Sequence, residues 1–282
     1  MLLYTLKSEV KESINYEINL KKTIGLVPTM GALHQGHLSL LKHAIIACDV
    51  VWVTIFVNPT QFNNKNDLNN YPKNINKDLK MISKISKNIN VFYPEISEMY
   101  NSKLKSEVYD FENLDKELEG KYRNNHFNGV GTIVAKLFEL FKPNKAFFGE
   151  KDFQQTRIIN KLIEIKGYKT RLIVCPTVRE KNGLALSSRN NLLSLKNKEK
   201  ASVIYNKLVY AKENYLKIPF KIIYANCKKE INSNPGFELE YLEIVHNETL
   251  KKENIIDLNK SYRIFICVLV NDVRLIDNIL VK

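Results

Sequence analysis

No two cysteines of this chain form a C-x-x-C pair: Cys48, Cys175, Cys227 and Cys267 are far apart, each in or beside an apolar segment. That spacing speaks against a zinc site or a dithiol redox motif and predicts four buried, reduced thiols. Arginine is scarce, at seven of the 43 basic residues, and the lysines are spread among asparagines and isoleucines. Phosphate and base forks favour arginine. The net charge of +13 therefore reads as solvated surface that helps attract small anions, not as a nucleic-acid footprint. No window reaches the roughly 18 apolar residues needed to span a bilayer. The N-terminal MLLYTLKSEVKESINYEINLKK carries charges of both signs where a secretion signal needs an unbroken apolar core. The expectation is a cytoplasmic protein with no membrane partner. Also missing are G-x-x-x-x-G-K-[ST], G-x-G-x-x-G and a serine or cysteine nucleophile elbow, which sets aside three common site architectures.

What is present is an ordinary globular composition, 44% hydrophobic and 26% charged, long enough for two unequal domains. Between about residues 23 and 175, short apolar runs alternate with amphipathic ones. TIGLVP (23–28), VVWVTIFV (50–57), NVFYP (90–94), KAFFG (145–149) and RLIVC (171–175) read as strands. HLSLLKHAIIAC (37–48) reads as a helix with Leu38, Leu41 and Ile45 on its stripe, widened by Leu40, Ala44 and Ala47. Residues 130–141, stopped by Pro143, and 153–166 read as further helices. Alternation of this kind predicts an α/β fold, a Rossmann-like doubly wound parallel sheet, over 1–177. Beyond it the pattern changes to helices over 194–215 and 221–232 and strands over 237–246, 262–270 and 273–282, a smaller α+β C-terminal domain spanning 178–282. Residues 63–70 (NNKNDLNN) read as a mobile loop.

In a parallel sheet, ligands sit beyond the carboxyl ends of the strands, and the polar clusters fall there. PTMGALHQGH (28–37) places His34 and His37 around Gly36 at a strand-to-helix junction, where a helix N-terminus offers amides and positive dipole to an anion. Either histidine can donate to phosphate, and a protonated one can neutralise developing charge. In GEKD (149–152), Gly149 permits a tight turn, Lys151 supplies a cation, and Asp152 can help hold magnesium on phosphates. LSSRN (186–190) has the composition of a phosphate clamp ending in Arg189. Asn58, Gln61 and Gln155 are uncharged amides past strand ends, suited to orienting a carboxylate or hydroxyl. Taken singly, each cluster also has an ordinary reading as a helix cap or a solvated turn. Together they point to chemistry on a nucleotide by positioning and charge neutralisation.

The five stretches PTMGALHQGH, FVNPTQF, FGEKDFQQ, GLALSSRN and NDVRLIDN, in that order over residues 23–278, resemble the pantoate–β-alanine ligase family. That family shares a His-x-Gly-His signature, here His34-Gln35-Gly36-His37, with a wider nucleotidyltransferase group. The resemblance implies that pantoate's carboxylate attacks the α-phosphate of Mg2+-bound ATP, and that β-alanine's amine then attacks the pantoyl adenylate. It implies ATP binding by Met30, Gly31, Ala32, Leu33, His34, Gln35, Gly36 and His37, with His37 as proton donor and His34 and Lys151 sharing in catalysis. Gly149, Glu150, Lys151 and Asp152 would hold ATP and its magnesium. Val178, Leu186, Ser187, Ser188 and Arg189 would complete the nucleotide pocket. Gln61, Gln155 and Asn58 would face pantoate, with Gln61 also meeting β-alanine, and the chain would form a homodimer. Departures fall at Arg123-Asn124-Asn125-His126-Phe127, where Arg-Pro-Gly-His-Phe is usual, at Asn63 in place of glycine, and at Asn182 in place of aspartate. A dinucleotide-forming nucleotidyltransferase of the same fold is the alternative reading. An RNA-binding protein, which would show steep salt dependence, is the alternative from another class.

Overall fold

A strand such as Val50–Ile55, buried at every position, needs apolar cover on both faces of its sheet. The computed structural model, which describes residues 1–100, 103–253 and 256–281, supplies that cover. Strands β1 (Leu3–Tyr4), β2 (Ile24–Thr29), β3 (Val50–Ile55), β4 (Ile89–Phe92), β5 (Lys145–Gly149) and β6 (Arg171–Cys175) form one sheet in the order β1-β4-β3-β2-β5-β6. Every pairing in it is parallel. Alternate residues feed two cores. Ile24, Leu26, Trp52, Ala146 and Phe148 pack with the helices Lys7–Asn19, His126–Phe141 and Phe153–Lys166. Val27, Val51, Val53 and Phe147 pack with Gln35–Ala47 and Ile75–Ser83. This is the doubly wound, Rossmann-like sheet expected.

The chain leaves β2 toward β3 on one side, and β5 returns on the other side of β2. Connections therefore diverge at the carboxyl ends of β2 and β5, and a crevice opens between them. The clusters at 28–37 and 149–155 sit on its two lips.

After β6 come the helices Ser202–Asn214 and Phe220–Asn232 and an antiparallel sheet of β7 (Phe237–His246), β8 (Tyr262–Val270) and β9 (Val273–Leu280). The strand expected over 273–282 stops at Leu280, and Lys282 lies outside the described residues. One face of β8 (Ile264, Ile266, Val268, Val270) packs on those helices. Phe265 and Cys267, on its other face, join the core of the parallel sheet. The central strand of the smaller sheet thus belongs to both units.

Several expectations shift. The Gln35–Ala47 helix buries Leu38, Leu40, Leu41 and Ala44 while Ile45 is exposed, because its apolar stripe is centred on the 40/41/44 rows. The helix expected over 130–141 begins at His126, and the one over 194–215 divides into Leu195–Lys200 and Ser202–Asn214. Residues 65–69 form a short helix capped by the Asn64 side chain instead of an unstructured loop. Cys175, Cys227 and Cys267 are buried and free, but Cys48, at the exposed end of its helix, is only half-buried. No helix among the described residues is long and apolar enough to cross a membrane.

The His126–Phe141 helix approaches the turn Pro59–Gln61 so closely that a Cβ on Gly129 would lie 2.4 Å from the Thr60 carbonyl oxygen and 2.7 Å from the Gln61 nitrogen. Gly129→Ala must push backbone from backbone, so it should destabilise the protein by about 2 kcal/mol or more. Chemical denaturation of the variant checks this, and an unchanged unfolding midpoint would refute the close approach.

Candidate active site

The first motif is held in shape by a residue the sequence reading did not single out. Asp78, from the helix Ile75–Ser83, is 1% exposed, and its two oxygens accept the Ala32 and Leu33 amides at 2.9 and 2.8 Å. Those bonds secure a loop in which Ala32, a non-glycine, has φ of 49°. The Gly31 amide donates to Thr29 Oγ1. The helix then starts with two histidines in reciprocal caps. His34 Nδ1 accepts the Gly36 amide at 3.1 Å, and His37 Nδ1 accepts the His34 amide at 3.3 Å. Gly36 is required here because a Cβ would stand 2.8 Å from the His34 ring.

This arrangement revises the anion-cradle expectation. Most amides of the loop and first turn already have acceptors within the protein. What remains for a ligand is imidazole: a ring that accepts at Nδ1 carries its proton on Nε2, so both histidines are neutral donors. Burial, then Lys151, brings the His34 pKa down to about 4. Burial, then His34 and Lys151, puts His37 well below the usual imidazole range. In the free protein neither ring is the protonated group anticipated from sequence, although bound phosphates would raise both values.

Across the crevice, Lys151 Nζ lies 2.9 Å from Asp152 Oδ1. Burial pushes the Asp152 carboxyl up, but Lys151, Arg189 and Arg123 outweigh it and hold the pKa below its ordinary value. Gly149 has an ordinary φ of −82°, so no tight turn demands glycine. A Cβ there would meet nothing within 4 Å, so the residue simply leaves room in the crevice. The third cluster closes the top. Ser188 Oγ donates to the Ala32 carbonyl, Ser187 Oγ caps the Arg189 amide, and Arg189 Nη2 donates to Asp67 Oδ2 at 3.0 Å. Asp67, on the short helix expected to be a mobile loop, thus neutralises the clamp arginine.

Deeper in, Asn58 is 1% exposed and donates to Gln61 Oε1 at 3.0 Å and to the Gly129 carbonyl at 3.1 Å. Its own oxygen accepts from Tyr100 and Thr60. Asn58 is therefore spent on orienting Gln61, whose Nε2 is left as the donor, beside Met30 Sδ. The Gln61 carbonyl accepts from buried His126 at 2.7 Å. Arg123, also unassigned from sequence, lies beside it, with its pKa lowered to about 10 by burial against the pull of Glu119. Of the departures noted from sequence, Asn125 stands in the left-handed region at φ 61°, where asparagine is a tolerable replacement for glycine. Asn63 donates to the Asn124 carbonyl, so two departing positions meet. Asn182 Oδ1 accepts the Leu184 amide.

All three clusters border a single cavity of about 1070 Å³. Met30, His34, Gly36, His37, Asn58, Gln61, Gly149, Lys151, Asp152, Gln155, Val178, Leu186, Ser187, Ser188 and Arg189 line it. Gly31, Ala32, Leu33, Gln35 and Glu150 do not: the first three are turned to Asp78 and Thr29, and Glu150 faces Arg263 at 2.9 Å. No group of three or more metal-ligating side chains occurs among the described residues.

A family model for pantoate–β-alanine ligase matches residues 3–280. The chain belongs to that family. A pantothenate synthetase from Christiangramia forsetii is 49% identical over 258 residues, covering 92% of this chain and 91% of that protein. One from Flavobacterium psychrophilum is 43% identical over the full length of both. Among solved structures, a pantothenate synthetase from Thermus thermophilus superposes with a TM-score of 0.90 at 33% identity, over 100% of both chains. The Francisella tularensis pantoate–β-alanine ligase, complexed with β,γ-ATP and β-alanine, superposes at 0.83 with 37% identity, over 99% of this chain and 97% of that one.

Three imidazoles of this ligase-family chain, buried His126 and the half-buried His34 and His37, have lowered pKa values. Unfolding returns them to about 6.5, so the unfolded state binds more protons below that pH. Their contribution to stability is complete above pH 6.5 and is lost as pH falls toward the folded values, about 4 for His34. Each group adds a slope of at most about 1.4 kcal/mol per pH unit. Thermal melts should show the midpoint dropping between pH 6.5 and 4, with a shallower drop in His126→Asn. An equal drop in the variant would remove His126 from the account.

Proposed function

We propose that this chain makes pantothenate by ATP-dependent condensation of pantoate with β-alanine, through the two half-reactions of its family. The observation that carries the reading is convergence. The His34 and His37 donor edges, Lys151, Asp152 and Arg189 share one crevice with an oriented Gln61 amide. A carboxylate is a poor electrophile, and adenylation gives its acyl carbon a good leaving group. In the first step a pantoate oxygen bonds to the α-phosphorus and the bond to pyrophosphate breaks. In the second, the β-alanine nitrogen bonds to the acyl carbon, AMP leaves with the bonding pair, and the ammonium proton is lost.

In this mechanism Nε2–H of His37 and of His34 donate to phosphate oxygens as charge builds, and Lys151 neutralises it from the opposite lip. Arg189 exchanges Asp67 for phosphate, while Ser187 and Ser188 shape that wall beside Val178 and Leu186. Gln61 Nε2 and Gln155 hold pantoate, with Gln61 reaching β-alanine as well and Asn58 setting its amide. Magnesium fits the site as an ion carried on the phosphates: a lone carboxylate, Asp152, is the kind of single protein ligand the ion takes when phosphates and water complete its shell. When bound, it would neutralise phosphate charge. On the same reading the chain is a cytoplasmic homodimer, and 178–282 forms the lid over 1–177.

The test is AMP release that requires ATP, pantoate and β-alanine together. Accumulation of a dinucleotide would instead favour a nucleotidyltransferase. His37→Ala and Lys151→Ala should each slow adenylate formation on the order of 10²-fold, the usual cost of losing one preorganised charge-stabilising group. Single-turnover quench measurements decide this, and a wild-type rate in either variant would exclude that residue.

A further inference from the structure

The Glu150–Asp152 turn carries Lys151, yet it is held from outside its own unit. Asn278, on β9 and 4% exposed, donates Nδ2 to both the Glu150 and the Lys151 carbonyls, at 3.0 and 2.8 Å. Its Oδ1 accepts from Arg263 Nη1. Arg263, on β8 and 3% exposed, also donates to Glu150 Oε1 at 2.9 Å and to Asn247 Oδ1 at 3.1 Å, and lies over the Phe153 ring at 3.8 Å. Behind Asn278, its backbone N–H donates to Asp277 Oδ1, and the Asp277 carboxylate takes two further bonds from Arg179. None of Asn278, Arg263 or Glu150 borders the crevice.

We infer that Asn278 and Arg263 are positioning residues for Lys151: the C-terminal sheet sets where the ammonium stands in the crevice, and so acts on the phosphate-transfer step. Two successive carbonyls bonded by one planar amide define both the position and the tilt of the Lys151 peptide. Arg263 locks that amide in turn by holding its oxygen. The Glu150 carboxylate serves as the anchor for Arg263 and not as an ATP ligand. Asn278 and Arg263 are themselves buried, so water poorly replaces a bond that either one loses. An error on the order of 1 Å in placing a catalytic group can cost about 10²-fold.

This inference rests on the proposed ligase reaction, and its test separates the two. Asn278→Asp keeps the shape but turns oxygen toward two carbonyls. Pantoate-dependent exchange of pyrophosphate into ATP should fall at least about tenfold, carried by kcat and the KM for ATP, with the KM for pantoate unchanged. Conversion of supplied pantoyl adenylate and β-alanine to pantothenate should stay within about twofold, because no pyrophosphate leaves in that step. Independently of any reaction, acetic anhydride should acetylate Lys151 several-fold faster in the variant, read by peptide mass spectrometry. If the wild type makes no pantothenate, the ligase reading fails while the acetylation result still judges the positioning. Unchanged acetylation, or an equal loss in both half-reactions, would overturn the inference. Should Asn278→Asp not fold, Glu150→Ala removes the Arg263 anchor from the other side. It should give the same pattern at roughly fivefold, and Glu150→Ala with wild-type exchange and wild-type Lys151 acetylation would equally overturn it.

Discussion

The Asp78 carboxylate, held by the amides of Ala32 and Leu33, is the contact on which the site depends. It stabilises a left-handed alanine in the loop and delivers the chain to the helix at the right angle. Only with the loop so placed can His34 and His37 cap the helix for each other. Capping uses Nδ1, and that leaves a proton on each Nε2. Backbone satisfaction and ligand recognition are thus a single arrangement: the rings complete the helix terminus and carry its donor capacity out to the crevice.

The same economy governs the acid-binding side. Asn58 is consumed by Gln61 and Gly129, and Tyr100 and Thr60 define which end of its amide is oxygen. Gln61 consequently presents nitrogen to the cavity. His126 secures the Gln61 carbonyl from behind. A flexible side chain with two interchangeable ends is given one orientation by its buried neighbours. Gly129 permits this by letting its helix come within contact of the turn.

The two units are joined at their cores as well as at their surfaces. Phe265 and Cys267 of β8 belong to the core of the parallel sheet. Glu119 accepts both guanidinium nitrogens of Arg274, at 2.8 and 3.0 Å, and the hydroxyl of Tyr241. Burial alone would raise the Glu119 pKa, but Arg274 overrides it and keeps the carboxylate ionised. Asn278 and Arg263 brace the turn that bears Lys151, and Phe265, Arg274, Ile276 and Asp277 line the crevice, so the smaller sheet forms part of the wall of the site.

The parallel sheet and the clusters at 28–37, 149–155 and 186–189 were legible in the sequence. Each depends on local periodicity or on residue types adjacent in the chain. The family, too, was readable from five contiguous stretches. Asp78, Arg123, His126, Arg263 and Asn278 were not legible, because each acts on backbone or side chains tens to more than a hundred residues away. The protonation state of His34 and His37 was beyond it for the same reason: burial and Lys151 are properties of the folded neighbourhood. Sequence determined which chemistry was available and at which strand ends it would stand. Tertiary structure decided which donors stay free for a ligand, since only packing sets which of them the protein itself consumes.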